Sequence, residues 1–349
     1  MPISPMRPHP DPPEFPPESS LEICVLASGS RGNAVYVSDG ATSVLVDAGL
    51  SGAEIERRMA LRGLSPADLD AILVTHEHGD HARGVGVMAR RYRLPVHLSA
   101  GTARAIDGKL GTIPEIRRFR AGEAFALGGL TVHPFATTHD AADPVGFTLA
   151  SRGLRMGIAT DLGTVTNLVR HHLRDCAALV LEANHDPEML MNGPYPWHLK
   201  QRVRGRSGHL SNADARDLLM EIDHDRLRHI VLGHLSAENN RPDLALGTIR
   251  EAMDRRGRSD RVSVAGQDEG SPRIRIGGSA AGNGTGPDPM GRARGCAIGR
   301  ECPLSPDTGT EPEPTTRTNE SNPAAGLRSP AAAMKFHTGH PNRLRRSFP

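Results

Sequence analysis

The segment Thr75-His76-Glu77-His78-Gly79-Asp80-His81 sets four metal-binding side chains, His76, His78, Asp80 and His81, inside six residues. Imidazole nitrogens and carboxylate oxygens are the donor set of open, catalytic zinc sites, whereas structural zinc sites usually use cysteine. In an extended chain residues i and i+2 point the same way, so His76 and His78 can bind one ion together. Gly79 permits a sharp turn, after which Asp80 and His81 can face a second ion. The chain holds 17 histidines in 349 residues. Three of them within six positions, interleaved with aspartate, are more than a polar surface loop supplies by chance.

A two-ion site needs further ligands. His139, Asp161 and His234 each follow a predicted strand, in VHPFATTH, MGIAT-D and HIVLG-H. Strand ends along one sheet edge converge in space, which is where sites of this kind form. Singly, a loop His or Asp is more often a solvated or capping residue; the shared placement makes these three candidates. Asp47 ends the VLVD strand. It is a turn residue or, the expected reading, a hydrogen-bond partner that fixes the tautomer of a ligand histidine.

Two divalent ions about 3.5–4 Å apart clamp the attacking and leaving oxygens of an in-line displacement, and zinc-bound water ionises near pH 7. The expected chemistry is hydrolysis by a metal-bridging hydroxide, with no Ser or Cys nucleophile and with zinc as the metal (manganese is the alternative). Downstream, Lys200, Arg202, Arg204 and Arg206 form a basic stretch beside His209. Arg forks suit phosphate oxygens. A solvated charge run is the ordinary alternative, and nearness to His209 favours phosphate binding. Tyr195 and Trp197 can stack bases, but packing beneath their loop is the expected duty. Ser28, Ser30 and Asn33 lie in a Gly-rich turn that either approaches the site or is a plain hairpin. His185 is either a support behind the site or a surface residue.

The elements that must position these groups alternate between β and α patterns. Strands are predicted at 21–27, 34–37, 43–47, 71–75, 95–99, 130–135, 145–150, 154–160, 178–182, 229–232 and 261–264. The 71–75 run, AILVT, is apolar throughout, as a strand covered on both faces must be. Ser51 and Glu54 form a capping-box pattern opening a helix that Gly63 stops. Further helices are expected at 85–92, 164–173, 211–222 and 242–256. Two packed sheets with helices outside satisfy this order; a doubly wound parallel sheet is the alternative. Residues 1–20 are too rich in proline for either element. Residues from 277 to 349 lack the apolar content to offset chain entropy, so a disordered tail is expected. The folded unit is therefore 21–276.

Composition agrees with a globular, soluble chain: 37% hydrophobic, 23% charged, net charge +2. So small a net charge does not argue for a nucleic-acid coat protein. The four cysteines, Cys24, Cys176, Cys296 and Cys302, form no CxxC pair. With no apolar signal segment and no run of the roughly 18–20 apolar residues a membrane span needs, a reducing cytoplasmic setting without membrane attachment is expected. Homo-oligomer formation is compatible with the sequence.

Together Asp47, the H-x-H-x-D-H run at 76–81, His139, Asp161 and His234 resemble the metallo-β-lactamase superfamily. The resemblance implies an αβ/βα four-layer sandwich, an α/β (α+β) fold. It implies one metal on His76, His78 and His139, a second on Asp80, His81 and His234, and Asp161 as the bridge. A narrower likeness is to the YycJ/WalJ-type branch, regarded as nucleic-acid exonucleases. It rests on ASGSRGN at 27–33, HDAADPVGF at 139–147, LEANHD at 181–186, GPYPWHLKQRV at 193–203, GHLSN at 208–212 and GHLSAENNRP at 233–242. In RNase Z-like relatives a His just before a helix acts as general acid paired with a Glu; His209 and Glu182 match by position. Capping of the 211–222 helix is the alternative duty for His209. The expectation is a two-metal phosphodiesterase acting exonucleolytically on DNA or RNA. A glyoxalase II-like thioester or lactone hydrolase is the second reading and a non-catalytic metal-dependent binding module the third. β-Lactamase activity is disfavoured because a periplasmic enzyme should carry a secretory signal.

Overall fold

Strands buried on both faces, with alternate side chains entering different cores, fix the architecture. In the computed structural model, which describes residues 20–277, strand β1 (Leu21–Ala27) is buried at every position. Its alternate residues serve two cores: Ile23 and Val25 face one, Cys24 and Leu26 the other, as the pleat requires.

The chain continues through β2 (Ala34–Ser38), β3 (Ser43–Val46), α1 (Gly52–Ala60), β4 (Ala71–Leu73), α2 (Gly79–Ala82), α3 (Val85–Tyr92), β5 (Val96–Ser99), α4 (Ala100–Ile106) and β6 (Ile116–Phe119). Then come β7 (Phe125–Leu127), β8 (Leu130–Ala136), β9 (Val145–Ser151), β10 (Leu154–Ala159), α5 (Asn167–Leu173), β11 (Ala178–Glu182), α6 (Pro187–Asn192), α7 (Trp197–Val203), α8 (Asn212–Ile222), β12 (His229–Gly233), α9 (Pro242–Asp254), β13 (Val262–Val264) and β14 (Ile274–Ile276). Among the described residues these strands form two seven-stranded sheets, ordered β14-β1-β2-β3-β4-β5-β6 and β13-β12-β11-β10-β9-β8-β7. Each sheet is antiparallel on one side and parallel on the other, the change falling at β3 and at β10.

The facing sides of the sheets share one apolar core, with Val35, Val44 and Val46 of the first sheet against Val132, Phe147, Leu149 and Met156 of the second. Helices α1, α3 and α4 cover the outside of the first sheet through Ile55, Met59, Met88 and Ile106. Helices α5, α8 and α9 cover the second through Val169, Leu218, Leu219, Ile249 and Met253. The result is the helix–sheet–sheet–helix sandwich, and the doubly wound alternative is excluded. Each fully buried Leu, Ile or Phe contributes roughly 1.5–3 kcal/mol, so the three cores hold the loops at the sheet rim against a rigid frame.

The expected elements all form, with shifted ends. The 164–173 helix starts only at Asn167, because Thr166 caps Val169 and the Thr164 N–H donates to Thr138. The capping box at α1 is half made: Ser51 accepts from the Glu54 N–H, but the Glu54 carboxylate binds Arg57 and Arg58 instead of reaching back. Strands β6, β7 and β14 and helices α2, α4, α6 and α7 are not among the elements expected from sequence. β6 (IRRF) is largely exposed at the edge of its sheet and carries no apolar alternation. The segments expected to be disordered, 1–20 and 277–349, lie outside the described residues except for Ser20 and Gly277. No helix among the described residues is long and apolar enough to cross a membrane.

One glycine ties frame to site. A Cβ on Gly49 would lie 1.6 Å from the Asp80 carbonyl oxygen. That carbonyl accepts the Asn33 N–H at 2.7 Å, and Gly49 N–H donates to Asn33 O at 2.9 Å. Gly49→Ala must therefore push the 76–81 loop off the β2–β3 end. We expect a loss of stability at or beyond the 1–3 kcal/mol of ordinary overpacking, read as a lower denaturation midpoint, and a parallel loss of bound metal. An unshifted midpoint would refute it.

Candidate metal centre

Strand ends deliver the site. β4 runs out into Thr75–His81, β8 into His139, β10 into Asp161, β12 into His234 and β3 into Asp47, while Glu182 is the last residue of β11. Three of these residues turn the chain off its strand in the left-handed region: Asp47 (φ 60°), Asp161 (φ 58°) and His234 (φ 55°). Asp and His are among the few side chains that tolerate this conformation. At roughly 1–3 kcal/mol each it persists only where the surroundings enforce it.

The hydrogen bonds of four histidines fix their tautomers. Asp47 Oδ2 accepts from His81 Nδ1 at 2.7 Å and from Thr75 Oγ1 at 2.8 Å. With its proton spent on Asp47, Thr75 Oγ1 accepts from His76 Nδ1 at 3.0 Å. His139 Nδ1 donates to Gly208 O at 3.1 Å and His234 Nδ1 to Glu182 Oε1 at 2.9 Å. All four Nδ1 protons being committed to oxygen, the four Nε2 atoms are left for one common space. His234 Nε2 is buried without a hydrogen-bond partner among the described residues.

Around that space the donors fall into two groups joined by one carboxylate. His76 Nε2 lies 3.1 Å from His78 Nδ1, which lies 3.3 Å from His139 Nε2. Tetrahedral zinc with Zn–N near 2.0–2.1 Å sets its ligand atoms about 3.3 Å apart, so this triad fits such an ion. Asp80 Oδ2 lies 3.6 Å from both His81 Nε2 and His234 Nε2. Asp161 stands between the groups, 3.1 Å from His81 Nε2, 3.5 Å from His139 Nε2 and 3.6 Å from His234 Nε2. The groups able to hold a metal include His76/His78/His139 and Asp80/His81/His234.

Asp161, Glu182, His209 and His234 also come within ligating distance of one another, but Glu182 is not free to ligate. Oε1 faces both His209 Nδ1 (2.8 Å) and His234 Nδ1 (2.9 Å), and Oε2 accepts the N–H groups of Leu162 and Leu210. The carboxylate is fully buried with four donors on it. Burial works to raise its pKa, but these partners outweigh burial and hold it at about 2.

Electrostatics separate the histidines. Burial, aided by the neighbouring imidazole of His81, keeps His76 well below the ordinary histidine value. Burial also lowers His139. For His81 and His234 burial is outweighed by Asp161 and by their carboxylate partners, Asp47 for one and Asp80 and Glu182 for the other. His81 is held well above the ordinary value and His234 at about 10. These rings keep a second proton until a cation displaces it. Metal binding near pH 7 should therefore release protons, and affinity should fall as pH falls. Calorimetric titration with zinc in buffers of different ionisation enthalpy checks this; a buffer-independent heat would contradict it.

Asp47 does not point at the shared space: its second oxygen accepts the Thr75 N–H at 2.8 Å. It orients His81 from behind. Asp47→Asn keeps a side chain suited to the left-handed backbone and removes the charge. A 10–100-fold weaker metal affinity is expected, measured by competition with a chromogenic chelator, and unchanged affinity would remove Asp47 from the site.

His209 sits just before α8, with Nδ1 on Glu182. Its capping alternative falls to Ser211, which makes a full capping box with Asp214. The basic stretch is not one row. Lys200 and Arg204, one helical turn apart, both turn to Met191, at 2.7 Å (backbone oxygen) and 3.5 Å (sulfur). Arg202 instead pairs with Asp140 at 2.6 Å, next to His139. The exposed Arg206 gives its carbonyl to Thr164. Trp197 is 56% exposed, which corrects the expectation that it packs beneath its loop. Of the Gly-rich turn, Asn33 Nδ2 reaches His81 Nε2 at 3.0 Å and Ser28 Oγ accepts the His234 N–H at 2.7 Å, while Ser30 is exposed. His185 is buried, not superficial.

Sequence reasoning missed Thr75, Asp140 and Asn184. Asn184 donates to His234 O at 2.8 Å, and Asp140 Oδ1 lies 3.4 Å from His139 Nε2. Each is one or two residues from a candidate already chosen, and that adjacency was the available signal. The thiols of Cys24 and Cys176, pushed up by burial to about 11 and about 12, offer no nucleophile.

The sandwich and the paired donor groups at its rim define a class: the chain belongs to the metallo-β-lactamase superfamily, and residues 42–234 match the β-lactamase superfamily domain. Within it, the chain is 38% identical over 239 residues to the exodeoxyribonuclease YycJ of Bacillus anthracis, covering 68% of this chain and 90% of that protein. It is 38% identical over 236 residues to the exodeoxyribonuclease WalJ of Streptococcus pneumoniae, covering 66% and 88%. Among solved structures, the metallo-β-lactamase fold protein YhfI from Bacillus subtilis is similar with a TM-score of 0.57 at 15% identity, covering 74% of this chain and 99% of that one.

Proposed function

We propose that this protein is a two-metal phosphodiesterase that degrades DNA from strand ends, with 21–276 as its hydrolase unit. The observation that carries the reading is the convergence of four Nε2 atoms, each with its Nδ1 proton already committed, on Asp80 and Asp161. The names of the relatives support DNA as the substrate. In this reading His76, His78 and His139 hold one divalent ion, Asp80, His81 and His234 hold the other, and Asp161 serves both. Zinc suits this donor set. When bound, such a pair supplies Lewis acidity and a water nucleophile at neutral pH.

The chain's own contribution to the reaction is His209. Glu182 holds its Nδ1–H, so Nε2 carries the mobile proton. Burial works to lower the His209 pKa, but Glu182 outweighs it and the ring is raised above the ordinary value. That suits a general acid. One water adds across the P–O bond: hydroxyl goes to phosphorus, the leaving oxygen takes the His209 proton, and the water's second proton restores the ring. A dedicated acid matters for an alkoxide leaving group. A thiolate, with a pKa near 8.5, departs unaided, so the dyad favours phosphodiesters over thioesters. Arg202, in the last turn of α7, and Arg204, just past its end, are the proposed phosphate contacts. A reducing, cytoplasmic setting suits the free, buried Cys24 and Cys176.

The test is metal analysis of the purified protein with an assay on end-labelled single- and double-stranded DNA and RNA, before and after chelation and after zinc or manganese add-back. Metal-dependent trimming of DNA is expected. Cleavage indifferent to chelator, or thioester turnover with no action on nucleic acid, would sink the proposal.

A further inference from the structure

Beside His209 the structure opens a cavity of about 290 Å³, bounded by α6, the 204–211 segment and the start of α8. Three of its features point to a ligand. Pro187, Leu190 and Met191 give it an apolar wall, suited to the face of a flat ring. His185 lines it, is only 3% exposed, and has an Nδ1 with no hydrogen-bond partner among the described residues. Arg204 stands at its border, fit to meet an anionic group. Burial holds His185 below the ordinary histidine value, so near pH 7 the neutral ring offers one donor and one acceptor. Opposite that wall stand His185, Arg204, His209, Ser211 and Asp214, the Asp214 carboxylate already bonded by the Ser211 hydroxyl, and the volume lies just below the roughly 300–1,000 Å³ of drug-sized ligand pockets. A volume this small has room for one nucleotide-sized ligand and not for several.

We propose that this cavity receives the nucleoside on the leaving-group side of the scissile phosphodiester, a single unit, so that the enzyme releases mononucleotides. The inference rests on the nuclease reading above. The link is His209, which borders the cavity and faces the oxygen that must be protonated as the P–O bond breaks. Whatever carries that oxygen sits in the cavity. The apolar wall stacks any base, so the pocket reads the presence of a base and not its identity.

The experiment uses the metal-loaded full chain and oligonucleotides whose last unit, at the 5′ end or separately at the 3′ end, carries a terminal phosphate and is either a normal nucleotide or an abasic tetrahydrofuran unit. Release of mononucleotides is expected, with kcat/KM at least tenfold lower when the departing unit is abasic. That preference should shrink severalfold in Met191→Ala, a partly exposed position where truncation spares the core, and in His185→Phe, which keeps the ring and removes its nitrogens. Products of two or more nucleotides, no abasic effect at either end, or an undiminished abasic effect in both variants would overturn the proposal. Hydrolysis of bis(p-nitrophenyl) phosphate, too small to need the cavity, is followed in parallel. If it proceeds while base preference is missing, the cavity assignment fails alone; if it too is absent, the phosphodiesterase reading has failed.

Discussion

Alanine at both His76 and His78 should leave a folded protein that has lost one metal and turns over phosphodiesters roughly a thousandfold more slowly. Losing a group that merely orients a ligand costs about 10–100-fold; here two of the three donors of one site go together. The fold should survive because both rings lie on the rim loop after β4, outside the three apolar cores. Thermal melting separates the two effects. A bound ion stabilises the native state by mass action, so chelation should lower the wild-type Tm much more than that of the double variant. Metal-to-protein ratio, Tm with and without chelator, and turnover of labelled DNA together decide the matter. Retention of full metal content and turnover by the variant would falsify the two-ion reading.

Much of the frame was legible because a strand covered on both faces is apolar along most of its length. Leu21–Ala27, Ala71–Leu73 and Ala178–Glu182 are such strands, with Glu22 and Glu182 the charged exceptions, and their burial is complete. What was not legible lies at edges and in the α6–α7 excursion. β14 (IRI) is a three-residue edge strand whose partner, β1, lies some 250 residues earlier, as in the Leu21–Ile276 pairing; no local pattern announces that. α7 buries none of its residues, so its apolar spacing carries no signal and Trp197 could not be assigned a face. In the site, residue types and their positions after strands singled out the candidate donors. Tautomers were invisible, since they depend on partners such as Gly208 O for His139, 69 residues away. The division of the basic stretch was equally hidden. Spacing alone puts Lys200 and Arg204 on one side of a helix, but that side proves to face Met191, and the Asp140 that meets Arg202 comes from another loop.

The left-handed turns at Asp47, Asp161 and His234 join frame to chemistry. Each falls immediately, or one residue, after a strand that carries it to the rim. Each then sets its side chain against the cluster at the rim: Asp47 on His81 Nδ1, Asp161 on His81 Nε2 and His234 Nε2 near Asp80. The strain is held by specific bonds: the Asp47 N–H to Leu73 O at 2.8 Å, and the His234 N–H to Ser28 Oγ at 2.7 Å. The cores therefore do more than stabilise the domain. They fix strand ends closely enough for donors as far apart in sequence as His76 and His234 to share one space.

His209→Ala should lower kcat on DNA by about 10²–10⁴-fold, the range a positioned general acid contributes, with metal content unchanged. The ring belongs to neither triad and holds its Nδ1 against Glu182, so its removal takes away the proton and little else. The deficit should be far smaller on bis(p-nitrophenyl) phosphate, whose phenolate departs without protonation. The pH profile gives an independent readout. A general acid works only while protonated, and Glu182 raises the His209 pKa, against the effect of burial, above its ordinary value. The wild-type rate should therefore fall as pH rises through that raised value, and the alanine variant should lose that alkaline limb. Glu182→Gln should separate from His209→Ala, because Glu182 also holds His234 Nδ1 at 2.9 Å. It should weaken metal affinity 10–100-fold as well as slow turnover. A His209→Ala enzyme with normal metal and wild-type kcat would leave the Glu182–His209 pair a structural contact and return the leaving group to the solvent.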